Sequence, residues 1–424
     1  MLDHELARHV AATAGTPAYV YDLAAARDNL AALRIALPEG TDTYYSVKAN
    51  RHPEMLRALR DAGSRAEVCS PGELSAALAA GWDPGTILYA GPGKRDVDLR
   101  TALAGGVRHF SVDSPNALDQ LNRCAEAAGV PVWCLLRINA DAPASRPGLT
   151  MTGVSSPFGA DARWVATAPE RFGHRPHVTV TGLHLYMGTN LTTVDDLLAQ
   201  FTSSLRTAAD LREVLRAQGV RLDVLDLGGG FGAPFGRAGG RLDLSGLREP
   251  LTALLDAEVP DWRDGRPRIA FESGRYLVGT AGTLLTRVLD AKSSHGSYLV
   301  VLESGINHLG GLSGLRRLPP LVPSLIPVDA AAPTAVTVPT TVCGPLCTPL
   351  DVWARGVELP RLEPGDLLAV PNVGAYGLDA SLLAFLGHPL PAEVVLDSTA
   401  PEPATWHVSR MDLVRTPISL GEPL

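Results

Sequence analysis

The chain has 424 residues, 46% hydrophobic and 19% charged, with a formal charge of −8 and a pI near 5.8. At roughly 150 residues per domain, that length predicts two or three domains with ample core, and the acidic balance argues against a nucleic-acid surface, which needs clustered Lys and Arg. No run of about 18 apolar residues could span a bilayer, and the charged start Met1-Leu-Asp-His-Glu-Leu6 does not match a signal peptide, so a cytoplasmic location is expected.

Five cysteines, Cys69, Cys124, Cys134, Cys343 and Cys347, are too few and odd in number for a disulfide framework. Cys343 and Cys347 have no nearby Cys or His to complete a ligand set, so no metal site is expected.

In chain order, Ala18 to Tyr21 predicts a strand and Leu23 to Leu37 a helix that stops at Pro38-Glu-Gly40. Thr43 to Asn50 reads as a short strand with Lys48 at its end and turn-forming Asn50 behind it. Helices and strands then alternate: helix Pro53 to Ala62, strand Ala66 to Cys69, helix Gly72 to Ala80, strand Ile87 to Ala90, helix Arg95 to Ala104. Strand His109 to Val112, helix Pro115 to Ala128 and the nearly all-apolar strand Val132 to Ile138 follow, the last as in a sheet buried on both faces. Asn139 to Pro176 is a long Gly- and Pro-rich excursion, of a length that is usually functional or mobile. Strand Val178 to Leu185, helix Val194 to Gln218, strand Leu222 to Leu227, helix Leu244 to Leu255 and strand Arg268 to Phe271 complete the alternation.

About eight strands over roughly 230 residues fit a single (β/α)8 TIM barrel, with a doubly wound open sheet as the rival. Beyond Gly274 the texture changes to short β-rich runs, Tyr276 to Val288, Tyr298 to Leu302, Ala335 to Val338 and Asp366 to Val370, which predict an all-β C-terminal domain. The expected division is residues 22–276 for the barrel, and 1–21 plus 277–424 for the β domain, its sheet joined by the strand near Tyr19. The apolar, proline-rich segment Leu318 to Pro339 reads as an ordered connection.

Three features carry chemistry. An amine at a buried strand end, as expected for Lys48, is costly as an ammonium, so burial frees it to form a Schiff base with a carbonyl; the competing reading is a surface lysine. The loop of Leu225-Asp-Leu-Gly-Gly-Gly-Phe-Gly232 after the seventh strand can turn backbone N–H groups toward an anion, and barrels often hold phosphate there; otherwise it is a tight turn. Phe271-Glu-Ser-Gly-Arg-Tyr276 places Glu272 and Arg275 at the same rim, where an exposed ion pair is the plainer alternative.

Taken with Tyr45-Ser-Val-Lys48-Ala-Asn50, Glu67-Val-Cys-Ser-Pro-Gly-Glu73, Gly91-Pro-Gly-Lys94, His184-Leu-Tyr-Met-Gly-Thr189, Cys343-Gly-Pro-Leu-Cys347 and Gly374-Ala-Tyr376, these motifs span nearly the whole chain. In order and spacing the sequence resembles the alanine-racemase-like, fold-type III pyridoxal phosphate (PLP) enzymes, on the diaminopimelate and ornithine decarboxylase branch. The resemblance implies that Lys48 holds PLP, that Gly228, Gly229, Gly230, Gly274, Arg275, Thr189 and Tyr376 surround its phosphate, and that Glu272 pairs with the pyridine nitrogen. Glu67, Glu73, Arg137 and His184 match polar positions around the ring. A carboxylate against the nitrogen favours the pyridinium and so decarboxylation; the racemase branch has an arginine there. Cys347 resembles the general acid that the family contributes across a homodimer interface.

Three departures bear on the substrate. Thr348 follows Cys347 where the family has an acid for the distal ammonium. Ser304-Gly-Ile-Asn-His-Leu-Gly-Gly-Leu-Ser313 replaces an Arg-Pro-x-Leu-Tyr stretch, and resembles the Asn-His stretch of decarboxylases from siderophore and natural-product biosynthesis. Tyr186 replaces the ring-stacking histidine, with His184 two positions earlier on the same strand face. The expectation is a PLP-dependent decarboxylase of an amino acid or of a carrier-linked or citrate-conjugated one, with Asn307, His308, Thr348 and Asp351 at the substrate; Arg316 and Arg317 read as a solvated surface, or as docking charges if the substrate is tethered to an acidic carrier protein. The alternatives are a racemase, a diaminopimelate decarboxylase and a catalytically inactive regulatory relative.

Overall fold

Alternating apolar strands and amphipathic helices can bury both faces of a parallel sheet only if the helices wrap it, and in this chain the sheet closes on itself. The structure, a computed structural model, describes residues 2–140, 149–150, 153–310, 322–328, 336–400 and 406–417. The chain divides into two units: Leu23–Pro234 with Gly239–Ala281, and Met1–Asp22 with Phe235–Ala238 and Gly282–Leu424.

In the first unit, eight parallel strands form the barrel: Asp42–Ser46, Arg65–Val68, Leu88–Tyr89, His109–Val112, Val132–Asn139, Val178–His184, Val224–Asp226 and Arg268–Ser273. The eighth pairs back onto the first, from Ala270 opposite Asp42 to Ser273 opposite Tyr45, so no open edge remains in the ring. Tyr44, Leu88, Leu135 and Ala270 fill the interior. At the N-terminal ends of the strands Asp42 is ion-paired to both Arg65 and Arg268, at 3.1 and 3.0 Å, which ties the first, second and eighth strands together.

Local chemistry sets the helix boundaries. Ser70 and Ser114 cap the helices Pro71–Ala80 and Pro115–Ala128, each with proline in its first turn, and both helices stop at a left-handed glycine, Gly81 or Gly129. Thr193 caps the long helix Val194–Arg216 in the same way.

Several expectations change. Lys48 does not end a strand: the strand stops at Ser46, and Lys48 lies in the single 3-10 turn Val47–Ala49, closed by the Asn50 N–H donating to Val47 O. The helix expected from Leu244 runs Arg248–Glu258, because the Asp243 side chain accepts from the Ser245 N–H and hydroxyl and holds the preceding residues in a turn. The apolar run after Gly274 begins as the helical turn Arg275–Val278 and becomes a strand only at Gly282–Ser294; three apolar residues in a row do not distinguish the two. Within the long excursion, Ala162–Thr167 is helical. A helix His4–Thr13, capped by Asp3, precedes the first strand.

The second unit is built on a nine-stranded sheet in the order Val352–Pro360, Thr337–Cys343, Ser297–Leu302, Gly282–Ser294, Ala18–Asp22, Ala392–Leu396 and His407–Ser409, with Leu367–Pro371 and Ile326–Pro327 off this path. The strand around Tyr19 joins this sheet, and the Tyr19 hydroxyl donates to His308 O at 2.7 Å. Half of the Leu318 to Pro339 connection, Ser313, and Arg316 and Arg317 lie outside the described residues. No helix among the described residues is long and apolar enough to cross a membrane.

Gly182 pairs with Leu135 on one side and Val224 on the other, and a Cβ there would stand 1.8 Å from Val224 O. Backbone cannot swing aside, so Gly182→Ala is expected to cost about 2 kcal/mol or more and to lower Tm by about 5 °C. An unchanged melting curve would contradict this packing.

Candidate active site

The C-terminal ends of the barrel strands gather the charged side chains. Lys48 follows the first strand; Glu67, Arg137, His184, Asp226 and Glu272 come from the second, fifth, sixth, seventh and eighth. Lys48 Nζ lies 3.4 Å from Glu67 Oε2 and 3.9 Å from Cys69 Sγ. Because the Lys48 side chain is 41% exposed, that ion pair is worth at most about 1 kcal/mol, and its main effect is to aim the amine.

Glu67 is buried, and its other oxygen accepts from the Cys69 thiol at 2.8 Å. Burial pushes its carboxyl up, but the Lys48 ammonium, hydrogen bonds from Cys69 and Ser46, and Arg137 together hold it below the usual range. Glu73 accepts from the Cys69 N–H at 3.0 Å and is raised, by burial and by Glu67. Burial, then Glu67, pushes the Cys69 thiol well up. Lys94 Nζ donates to Gly91 O, and burial pulls its ammonium down.

On the opposite side of the barrel mouth, His184 Nδ1 is 2.9 Å from Ser111 Oγ, and its Nε2 is 3.3 Å from Glu272 Oε1 without hydrogen-bond alignment. Burial, with Arg137, Lys48 and Lys94 nearby, keeps His184 neutral, far below the ordinary histidine value. Glu272 is pushed well above the carboxylate range by burial and then by Asp226 and Glu67. Tyr186 lies just past the end of the sixth strand, with the Arg137 guanidinium 5.8 Å from its ring centroid and 4.8 Å from that of Phe158.

The glycine loop rests directly on the eighth strand. A Cβ on Gly229 would stand 2.3 Å from Glu272 O, and Gln200 Nε2 donates to Gly229 O at 2.7 Å. Gly228 and Gly230 take positive φ on either side, and the Leu191 N–H donates to Gly230 O. Thr189 sits in the two-residue strand Gly188–Thr189, Gly274 precedes the helical turn, and Arg275 opens it. A phosphorylated pyridine aldehyde fits this set: an amine, a side-chain-free loop for its anion, a ring platform in Tyr186 and, in Glu272 Oε1, a buried acceptor with no hydrogen-bond donor among the described residues.

Cys347, Thr348, Asp351, Asn307, His308 and Tyr376 belong to the second unit. The two carboxylate oxygens of Asp351 accept from the Ile306 N–H at 2.8 Å and the Leu346 N–H at 2.9 Å, stitching the 304–309 stretch to the Cys343–Cys347 loop. His308 is also engaged, with Nε2 3.0 Å from Pro389 O and Nδ1 3.4 Å from Ser304 Oγ, and burial pulls its pKa to about 4. Cys347 is exposed, and Tyr376 holds a positive φ of 56°. Asp226, Cys69 and Ser111 are the rim residues that the motifs did not single out. One compositional signal does point to the amines: the chain has only three lysines, Lys48, Lys94 and Lys292, among 37 basic residues.

Comparison with known proteins bears on the same stretch. A family model, the pyridoxal binding domain of pyridoxal-dependent decarboxylases, matches residues 23–279. The chain is 31% identical over 385 residues to the L-glutamyl-BtrI acyl-carrier-protein decarboxylase of Niallia circulans, covering 90% of this chain and 88% of that one. It is 32% identical over 392 residues to the diaminopimelate decarboxylase of Methanothermobacter thermautotrophicus, covering 90% and 87%. A crystal structure of Helicobacter pylori diaminopimelate decarboxylase shares the fold, with a TM-score of 0.80 over 95% of each chain at 24% identity. The match runs the length of the barrel that carries Lys48, the glycine loop and Glu272, and the chain belongs to the pyridoxal-dependent decarboxylases, lyases whose cofactor is PLP.

Proposed function

We propose that this decarboxylase acts on an amino acid whose far end is neutral, acylated or carrier-linked, and that it works as a homodimer with shared sites. In this reading Lys48 holds the cofactor; Gly228 to Gly230, Thr189, Arg275 and Tyr376 take its phosphate, Tyr186 stacks on its ring, and Glu272 meets the ring nitrogen. Bound PLP supplies the electron sink for the pair left behind by departing CO2. Arg137 and Glu67 keep the amine and ring in register, and the partner subunit's Cys347 holds the proton that goes to Cα.

Asp351 carries the substrate reading. It is the only acid between Cys343 and Asp351, and both of its oxygens are taken by backbone N–H groups. Thr348 and Asn307 are neutral, and His308 is neutral at pH 7. A distal ammonium brought against these residues would lose its water without gaining a carboxylate, at a cost of several kcal/mol. Both acyl-carrier-linked and free diamino acid substrates occur among the relatives at nearly equal identity, so this reading is supported by the neutral stretch rather than by overall similarity. Asp351 in this reading positions the Cys347 loop: a Cβ on Gly344 would stand 2.2 Å from Asp351 Oδ2, so the loop has one tight way to close.

Two measurements follow from this. For free ornithine, lysine or diaminopimelate, kcat/KM is expected to be about 100-fold below that for the same amino acids capped at the far end or linked through a pantetheine thioester. A free diamino acid turned over above about 10⁴ M⁻¹s⁻¹, with conjugates no better, would show that the distal charge is met elsewhere. Separately, mixing inactive Lys48→Ala and Cys347→Ala homodimers under subunit exchange should restore part of the activity, since some mixed dimers regain one complete site. Proven exchange with no recovery would mean the site is built within one chain.

A further inference from the structure

Asp226 ends the seventh strand, stands level with His184 on the sixth, and is completely buried. Its Oδ1 accepts the Gly228 N–H at 2.9 Å, which fixes the start of the glycine loop. Its Oδ2 meets no hydrogen-bond donor among the described residues, and neither does Glu272 Oε1. Ligand atoms of Asp226, Glu272 and His184 all lie within 4.8 Å of one another. Two ionised carboxylates this close in a closed barrel leave each other's oxygens undonated; one proton between them satisfies both.

We propose that Asp226 and Glu272 form one carboxyl pair that holds a single proton near neutral pH, and that Glu272 hands this proton to the ring nitrogen when the cofactor binds. This rests on the placement of Glu272 at that nitrogen. The balance is simple: the O–H bond of the pair breaks, an N–H bond forms, and a pair of charge −1 beside a neutral ring becomes a pair of charge −2 beside a cation. No proton has to enter the barrel from water. Asp226 acts through Glu272 and is a positioning residue.

The surroundings support this. Burial, then Asp226 and Glu67, push Glu272 well up, while Lys48 and Arg137 oppose them. For Asp226, burial and Glu67 raise and the Gly228 N–H, Arg137 and a hydrogen bond from Glu272 lower, leaving it at about 7. His184, neutral and engaged by Ser111, is not the proton store.

The test is the number of protons taken from solvent when full-length apoprotein binds PLP, read by calorimetry in two buffers of different ionisation enthalpy near neutral pH. Asp226→Asn removes the neighbouring charge that raises Glu272 beyond what burial does, so the pH at which the count gains about one proton should move down relative to wild type, and Asp226→Glu should return it toward the wild-type value. An unmoved midpoint in Asp226→Asn would overturn the proposal. Should Asp226→Asn not fold, the wild-type count itself should rise by about one proton from neutral to alkaline pH as the pair loses its proton; a flat profile would overturn it. Glu272→Gln separates the two layers: a wild-type count and visible spectrum in that variant would refute Glu272 at the ring nitrogen, whereas an altered Glu272→Gln with an unaltered Asp226→Asn would refute only the pair. EDTA should change none of the counts; if it does, a cation rather than a proton joins the carboxylates, and the proposal fails.

Discussion

Parallel pairing in fixed register across the sixth, seventh and eighth strands is the constraint on which the site depends. Asp226 stands opposite His184 on one side and Ala270 on the other, two residues before Glu272. Since alternate residues of a strand share a face, that register sends His184, Asp226 and Glu272 into one buried corner, and a slip of one residue would scatter them. The glycine loop then follows of necessity: the chain leaves Asp226 and lies against Glu272 O, where a Cβ at Gly229 would come within 2.3 Å.

The charge balance of the rim follows from burial. Four carboxylates, Glu67, Glu73, Asp226 and Glu272, face Lys48, Lys94 and Arg137 in a region mostly closed to water. The cations win only at Glu67, which Lys48 touches; the other three carboxyls are raised. Of these, Glu272 is the group that the proposed placement sets against the ring nitrogen, so in that reading the same burial that makes the site costly to form also sets its proton content. In the second unit the corresponding constraint is the Asp351 carboxylate, which ties two loops together by accepting a backbone N–H on each oxygen.

The barrel was legible in the sequence because its strands are short apolar runs separated by capped helices, and His109–Val112 and Pro115–Ala128 emerge with the boundaries their residues suggest. Lys48, Glu67, His184 and Glu272 stand in the motifs, Arg137 only in what the resemblance implies, and the structure brings all five to the C-terminal ends of the barrel strands. What the sequence concealed is of two kinds. Apolar runs such as Tyr276-Leu-Val278 carry no period and read equally as strand or helix. Partnerships between distant residues leave no local trace: Asp226 has no role of its own in the Leu225 to Gly232 motif, and its approach to Glu272, 46 positions later by residue number, exists only once the strands pair. For the same reason the tie from Asp351 to the Ile306 and Leu346 N–H groups leaves no mark in the sequence.

The central claim is that, of the three lysines, Lys48 carries the cofactor. Lys94 is the physical rival, since it also stands near the rim and burial also lowers its ammonium. Reducing the PLP-loaded protein with borohydride fixes the label on whichever amine held it, and peptide mass mapping then reads the position. The pyridoxyl phosphate adduct is expected on the peptide containing Lys48, with Lys94 unlabelled. An adduct on Lys94, with Lys48 unmodified, would contradict the assignment of the site.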